Sequence, residues 1–459
     1  MPKTVYQTTL PLSDGGEDLW RQEVVPRLPV DLEQKARELK AFERARGLPD
    51  ATTLLRGLLA YVLCAQASSF RRLGAWGVLM GVANMSDTAW RKHLVKASAW
   101  LLWLLGTLLA VDASPPKREL AGRVLLIDAT RLREEGGCGD DWRVHSAYDL
   151  QVGRLVEVKV TDRHTGESLR HFALQAGDIV VADNGYGYRS NVAYAQQQQA
   201  FVVLFITPTT FPLETEQGKA ISLVSWLKQK GEPVRSRTAW CGFEGQRYEV
   251  RVVALKLPAQ VARRRREEKR RHARQKGKKI SATTVFLAGW ILLVTTLPAQ
   301  QWSAQEVLKL YRARWQTELL YKRLKQQMRC AQVRAHLAEA VQAELRAYLL
   351  AWVLQEQEAQ ALREVLEGVH THEQGRPETW EWDEHPVSEW RVSSLCVDTL
   401  RGQVLGQWSA QRVRICAPDL QRYLRSSPRM RSHQASTTRR WLATKRKPPS
   451  PVHARELSG

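Results

Sequence analysis

Apolar positions recur every three to four residues through the first hundred residues of the chain. Leu32 to Arg46 carries this spacing and stops at Gly47, and Thr52 to Gln66 forms a second run. Both predict amphipathic helices. In the stretch SSFRRLGAWGVLMGVANMSDTAWRKHLVKASAWLL one helix is expected to end near Ala83, with Asn84 turning the chain and Ser86 or Asp87 capping the next. That next helix carries Arg91, Lys92, His93 and Lys96 in its first turns, as a helix-turn-helix module does toward DNA. An αα-hairpin with a solvated basic face fits the pattern equally well. Residues 1–115 therefore read as helical, closed by Pro115 and Pro116.

From Arg123 the pattern changes to strands. RVLLIDAT is an apolar run ending in an acid, WRVHSAYDLQ and RLVEVKVTD read as a meander, and DIVVADNGYGYRSNVAYAQQQQ reads as strand, turn and helix before the strand FVVLFIT. Alternation of this kind predicts an α/β fold. Residues 208–298 interrupt it. RYEVRVVALKL and VFLAGWILLVTTL look like strands, separated by VARRRREEKRRHARQKGKK, a run expected to be a solvated, mobile loop that can still bind phosphate. From Ser303 some 65 residues read as helical, and the tail runs into the proline-rich KPPSP.

Composition adds a partner to this outline. The 459 residues are 44% hydrophobic and 25% charged, an ordinary globular balance, but the net charge is +22. Residues 261–279 hold 11 basic and two acidic residues, 422–447 hold nine basic and no acidic ones, and 309–329 hold seven basic and one acidic. These three segments carry more than the whole surplus and leave a nearly neutral remainder, so the chain is expected to meet a polyanion at particular places. The apolar run Ala99 to Val111 is too short to span a bilayer, and the N-terminus lacks an apolar signal core. No membrane partner is expected. The six cysteines form no C-x-x-C pair, which argues against zinc ribbons and disulfide frameworks and fits a reducing cytoplasm.

Three acids stand out by context. Asp128 and Asp183 are expected to end strands, and Glu318 lies in a basic helix. Acids ending neighbouring parallel strands can converge at the sheet edge, and with a third from a helix they make an all-oxygen site suited to two Mg²⁺ ions. A strand-terminal Asp is more often a cap or turn residue. Around Glu318, the residues Tyr311, Arg314, Glu318 and Lys325 stand at offsets of 0, 3, 7 and 14. At about 100° per residue, one continuous helix would place them within an arc of about 60°. A phenol, a guanidinium and an ammonium suited to phosphate then flank one carboxylate. The plain alternative is a basic helix face with an i,i+4 pair, Glu318 with Lys322, worth a few tenths of a kcal/mol.

The spacing Y-x2-R-x3-E-x6-K, with LLIDAT and DIVVADNGYGYR before it, resembles the signature of the cut-and-paste DDE transposases of bacterial insertion sequences. The acid spacings are 55 and 135 residues, and the likeness runs from about residue 25 to 365. The resemblance implies a ribonuclease-H-like α/β core in two parts, 120–207 and 299–365, split by a mainly β insertion at 208–298. It implies a helical N-terminal DNA-binding domain (1–115) and a helical C-terminal region (366–459) with a basic tail and a possible dimerisation role. Asp128, Asp183 and Glu318 would be the catalytic, metal-binding triad for two Mg²⁺ ions, with Mn²⁺ as a substitute. Tyr311, Arg314 and Lys325 would hold phosphates at the cleaved end, and Lys322, Arg91 and Lys92 are further candidate DNA contacts. Where relatives often carry a basic residue after the second aspartate this chain has Asn184, and Arg189 is the candidate substitute. Trp240 and Trp290 are candidates to stack on a terminal base, with core packing favoured for both. The implied reaction is end cleavage and strand transfer, through a hairpin on the element, by a homodimer on double-stranded DNA in the bacterial cytoplasm, associated with the nucleoid. A non-catalytic DNA-binding regulator and a metal-dependent nuclease without strand transfer remain open as alternatives.

Overall fold

The computed structural model describes residues 18–45, 47–111, 122–135, 141–330, 332–335, 337–372, 388–407 and 409–424. Pro115, Pro116, Cys138 and the tail beyond residue 424 lie outside them. The chain divides into two compact units, one of residues 1–114, 131–142 and 320–432 and the other of residues 115–130, 143–319 and 433–459.

The first unit is helical. It begins with α1 (Leu32–Glu38), α2 (Ala51–Leu63), α3 (Phe70–Leu79), α4 (Asp87–Lys96) and α5 (Ser98–Val111). Polar caps set the starts: Asp50, Ser69 and Ser86 each accept from a backbone N–H three residues on, Ser86 from Ala89 at 3.2 Å. Gly57 on α2 is the seat for Trp90 of α4, because a Cβ there would lie 2.2 Å from the indole ring. The apolar run forms α5, which buries Trp100, Leu101, Leu104 and Leu105 and packs along the 35-residue helix α12 (Ala338–His372). Among the described residues no single helix is long and apolar enough to cross a membrane, although α4 and α5 together, bent by 53°, reach that length. Helices α13 (Glu389–Leu405), α14 (Ala410–Ile415) and α15 (Ala417–Leu424) complete this unit.

The buried acids of α12 are held by arginines. Glu344 pairs with Arg334 at 3.0 Å, Glu356 with Arg323 at 3.7 Å, and Glu358 with both Arg27 (2.6 Å) and Arg414 (2.7 Å). Removing Arg334 would leave the fully buried Glu344 without its cation, which costs about 3–5 kcal/mol for a buried pair.

The second unit is built on a sheet whose strands are β1 (Val124–Glu134), β2 (Trp142–Asp149), β3 (Arg154–Asp162), β4 (Ile179–Ala182), β5 (Phe201–Phe205), β6 (Val234–Phe243), β7 (Gln246–Lys256) and β8 (Trp290–Thr295). Their order is β3-β2-β1-β4-β5-β8-β7-β6, with the short β9 (Gln332–Val333) beside the end of β1. β1, β4 and β5 are parallel, whereas β8 runs antiparallel to β5 and β7, and β6 antiparallel to β7. Leu125, Ile127, Val180, Ala182, Val202 and Leu204 point to one buried face with Val192 and Ala195 of α6 (Arg189–Gln197). The alternate residues Leu126, Val181 and Val203 are buried too. That double burial explains the uninterrupted apolar runs of these strands.

Several expectations change. β1 does not end at Asp128 but runs on to Glu134. The interruption at 208–298 is mixed rather than mainly β, since it adds α7 (Leu223–Lys228), α8 (Ala259–Gln275) and α9 (Ala282–Leu287) to three strands that extend the same sheet. The basic run is helix α8, not a loop. Arg, Lys, Glu, Gln and Ala are strong helix formers, Arg263 pairs with Glu267 at 2.9 Å one turn on, and Ala262 is buried. The helix ends at Gly277, whose φ of +62° lets Lys278 N–H return to the Ala273 carbonyl. The segment VFL is the end of α9, and the strand begins at Trp290. The long helical stretch after Ser303 is broken into α10 (Ala304–Arg312), α11 (Trp315–Gln326) and α12, with β9 between the last two.

His145 on β2 is fully buried, with Nδ1 3.2 Å from the Tyr186 hydroxyl, Nε2 2.9 Å from that of Thr161, and its ring 4.5 Å from His171. Burial, helped by His171, Arg143 and Lys159, pushes its pKa down to about 3. The unfolded chain takes up this proton near pH 6.5 and the fold refuses it until about 3. Stability is therefore present above 6.5 and lost as pH falls, by about 2 kcal/mol at pH 5. Urea unfolding of His145→Gln should weaken less between pH 7 and pH 5 than wild type, by about that amount. Equal losses would mean that His145 titrates normally.

Candidate active site

The parallel register builds the site. Ile127 of β1 lies opposite Ala182 of β4, and Ala182 opposite Leu204 of β5. The next residues on the three strands are Asp128, Asp183 and Phe205, and neighbouring strands lie about 4.8 Å apart. The pairing of β1 with β4 stops at this row, and β4 stops with it. Asp183 caps a short turn over Asn184–Tyr186, its Oδ1 accepting from Gly185 N–H at 2.8 Å. Asp128 Oδ1 accepts from Ala129 N–H at 2.8 Å, and its Oδ2 accepts the Thr317 hydroxyl proton at 2.8 Å. Burial and the neighbouring charge of Asp183 raise the Asp128 pKa to about 6, against the pull of these bonds and of Arg314.

The helical side of the site departs from one continuous stripe. Tyr311 is on α10, which opens with a capping box between Ser303 and Glu306. Arg314 sits in the turn between α10 and α11, and Glu318 and Lys325 are on α11. At the join the backbone tightens to i→i+3 bonds: Arg314 N–H to Tyr311, Gln316 to Ala313 and Thr317 to Arg314. The Thr317 hydroxyl contacts the Arg314 carbonyl at 2.8 Å as well as Asp128. A side-chain oxygen competing for a helix carbonyl is a recognised cause of such breaks.

The break places Arg314 between two acids. Its Nη2 is 3.0 Å from Glu318 Oε1 and its Nη1 3.5 Å from Asp128 Oδ2. The guanidinium also lies 5.7 Å from the Tyr311 ring, which stacks 6.1 Å from Phe205. Asp128, Asp183, Tyr311, Arg314 and Glu318 are thus gathered in one unit. Lys325 donates to the Arg131 carbonyl at 2.9 Å, and Lys322 is exposed on α11. Arg189 at the start of α6 donates to the Gly242 carbonyl at 2.8 Å, while Asn184 accepts from the Thr207 hydroxyl. Arg91 and Lys92 are exposed on α4 of the first unit. Trp290 is buried beneath Arg235, and Trp240 lies under Arg247.

Two residues escaped the sequence reading. Thr317 is fully buried and links α11 to Asp128. Glu167 reaches Gly185 so closely that a Cβ there would lie 1.5 Å from its Oε2 and 3.1 Å from Asp183 Oδ1. A side chain at this position would push this fourth carboxylate aside. The glycine-containing turn after Asp183 was its one signal, since Glu167 itself sits in a polar stretch with no periodicity.

With regard to metals, Asp128 and Asp183 form a close pair of hard oxygen donors whose mutual repulsion a cation would relieve. Glu318 is turned to Arg314, and among the described residues no three carboxylate, imidazole or thiol side chains gather as one ligand set.

With this geometry in place, the comparison with known proteins gives the family. The chain belongs to the DDE transposase family: residues 119–354 match the transposase DDE domain, a span containing both aspartates and Glu318. It is similar to the transposase for insertion sequence element IS421 of Escherichia coli, 32% identical over 334 residues, covering 70% of this chain and 89% of the relative. The putative transposases InsL for elements IS186A and IS186B of Escherichia coli strain K12 match with the same identity and coverage.

The raised Asp128 pKa has a consequence for stability. The fold keeps a proton on this carboxyl between about pH 4 and 6, where the unfolded chain has lost it, so stability falls as pH rises through that window. The full deficit, about 2–3 kcal/mol, is present above pH 6. Asp128→Asn, unfolded by urea in chelator, should therefore gain on wild type at pH 7.5, less what the lost contact with Arg314 contributes, and the gain should fade by pH 4. A variant no more stable at pH 7.5 would show that Asp128 ionises without strain.

Proposed function

We propose that this chain is the transposase of its own insertion sequence, cutting the element's ends and joining them to target DNA, with a hairpin on the element between those steps. The observation that carries the reading is the row of Asp128 and Asp183 on neighbouring parallel strands with Glu318 and Arg314 beside it. The strand order β3-β2-β1-β4-β5, with β1, β4 and β5 parallel, supports a ribonuclease-H-like core.

Asp128, Asp183 and Glu318 are the residues to hold divalent ions, Mg²⁺ with Mn²⁺ as substitute. When bound, such ions activate an attacking oxygen and stabilise the leaving one in an in-line displacement of phosphate. The other side chains bind and orient. Tyr311 and Arg314 offer a hydroxyl and a planar fork to phosphate oxygens beside the acids, and Lys325 offers a point charge. Thr317 holds Asp128 in a fixed rotamer by its hydroxyl. No side-chain nucleophile is required. The pair α3 and α4, with Arg91 and Lys92 outward, suits recognition of the terminal repeats, and α8 offers a rigid rod of arginines to the backbone. Two ends held together imply a homodimer on DNA.

Asp128→Ala, Asp183→Ala and Glu318→Ala should each abolish Mg²⁺-dependent cutting of a duplex carrying the element's end, a loss of about a thousandfold or more, while gel-shift binding of that duplex persists. Normal cutting by Glu318→Ala would refute the triad. Lys325→Ala should weaken end binding and lower the slope of log K against log salt by about one; an unchanged slope would remove Lys325 from the phosphate contacts.

A further inference from the structure

Arg314 holds a position that two ligands would contest, and from this we infer that it couples divalent-ion binding to DNA binding. The inference rests on the reading of Asp128, Asp183 and Glu318 as the ion-holding acids. The guanidinium lies between two of them, 3.0 Å from Glu318 and 3.5 Å from Asp128, with its side chain only 18% exposed. Little solvent screens these pairs, so Arg314 acts as a resident cation among the acids. A divalent ion seated on the same carboxylates takes over that charge and disfavours the guanidinium by repulsion.

Three features suit Arg314 to leave and return. It lies in the turn between α10 and α11, where i→i+3 bonds replace the α-helical pattern. Its carbonyl accepts the Thr317 backbone N–H at 2.9 Å, so the main chain stays at the site whichever way the long side chain swings. Its Nε–H is buried and finds no acceptor in the fold, a costly state for a donor. A phosphate oxygen pair can meet Nε and one Nη together, which the two separate carboxylates do not. A DNA phosphate at the site therefore gives Arg314 a better partner than it has alone, and its departure frees Asp128 and Glu318 for the ion. Linkage requires the converse: an ion on the acids releases Arg314 to phosphate and tightens DNA by the same factor. The acids thus become a strong ion site when a DNA strand is in place.

The test is Mn²⁺ binding to the full chain, read from the paramagnetic resonance of the free ion. It is run with and without a duplex carrying the element's end, after subtracting ion taken up by the duplex alone. Wild type should bind Mn²⁺ roughly tenfold or more tightly with the duplex. Arg314→Met, which keeps the unbranched stem without the charge, should bind Mn²⁺ tightly in either condition. A wild-type affinity indifferent to DNA overturns the inference, as does an Arg314→Met protein that melts normally and binds the ion as weakly as DNA-free wild type. Should Arg314→Met fail to fold, the wild-type pair of measurements decides alone. Asp183→Asn separates the two levels: if it binds Mn²⁺ as wild type does, the acids are not the ion site and the underlying reading fails. If it loses the ion while wild type ignores DNA, only the coupling fails.

Discussion

The pairing of β1 with β4 in one parallel register is the constraint on which the site depends. Because side chains alternate across a sheet, a slip of one residue would turn Asp128 and its neighbours to the opposite face. Apolar residues on both faces of these strands hold the register, so the core that stabilises the sheet also sets the two carboxylates side by side. Their proximity is unfavourable in itself, and burial makes it more so. Strain of this kind persists where the surrounding structure over-determines it.

The protein meets that demand with arginine, here and elsewhere. In the second unit Arg314 lies between Asp128 and Glu318. In the helical unit Arg27, Arg323, Arg334 and Arg414 neutralise the acids of α12. These arginines are taken up by buried acids and contribute little to the net surplus of +22. In α8, by contrast, the arginines mostly face solvent and Arg266 is drawn back to the Val285 carbonyl. The net charge of the chain does not distinguish the paired arginines from the exposed ones.

Local chemistry was legible wherever a short-range rule governs it. The caps at Asp50, Ser69 and Ser86, the apolar strands around Asp128 and Asp183, and the start of α10 at Ser303 follow from residues a turn apart. The errors share a cause as well. Reading VARRRREEKRRHARQKGKK as a loop weighed its charge and overlooked the helix propensity of the same residues. Placing Tyr311, Arg314, Glu318 and Lys325 on one helix assumed ideal geometry across Ala313, where Thr317 and its contact with Asp128, 189 residues away, end the regular pattern. Ending β1 at Asp128 mistook the loss of pairing with β4 for the end of the strand.

By itself the sequence determined which residues could do the chemistry, because acid, base and phosphate-binding character belong to side chains and their order along the chain is fixed. It also determined the family, through spacing that many positions share. Only the tertiary structure decided who stands beside whom. That burial and Asp183 raise Asp128, that Glu167 enters at Gly185, and that Arg314 and Thr317 reach Asp128 are all consequences of strand register and of a broken helix. Such contacts arise when distant segments are packed together, and no periodicity within a single segment carries them.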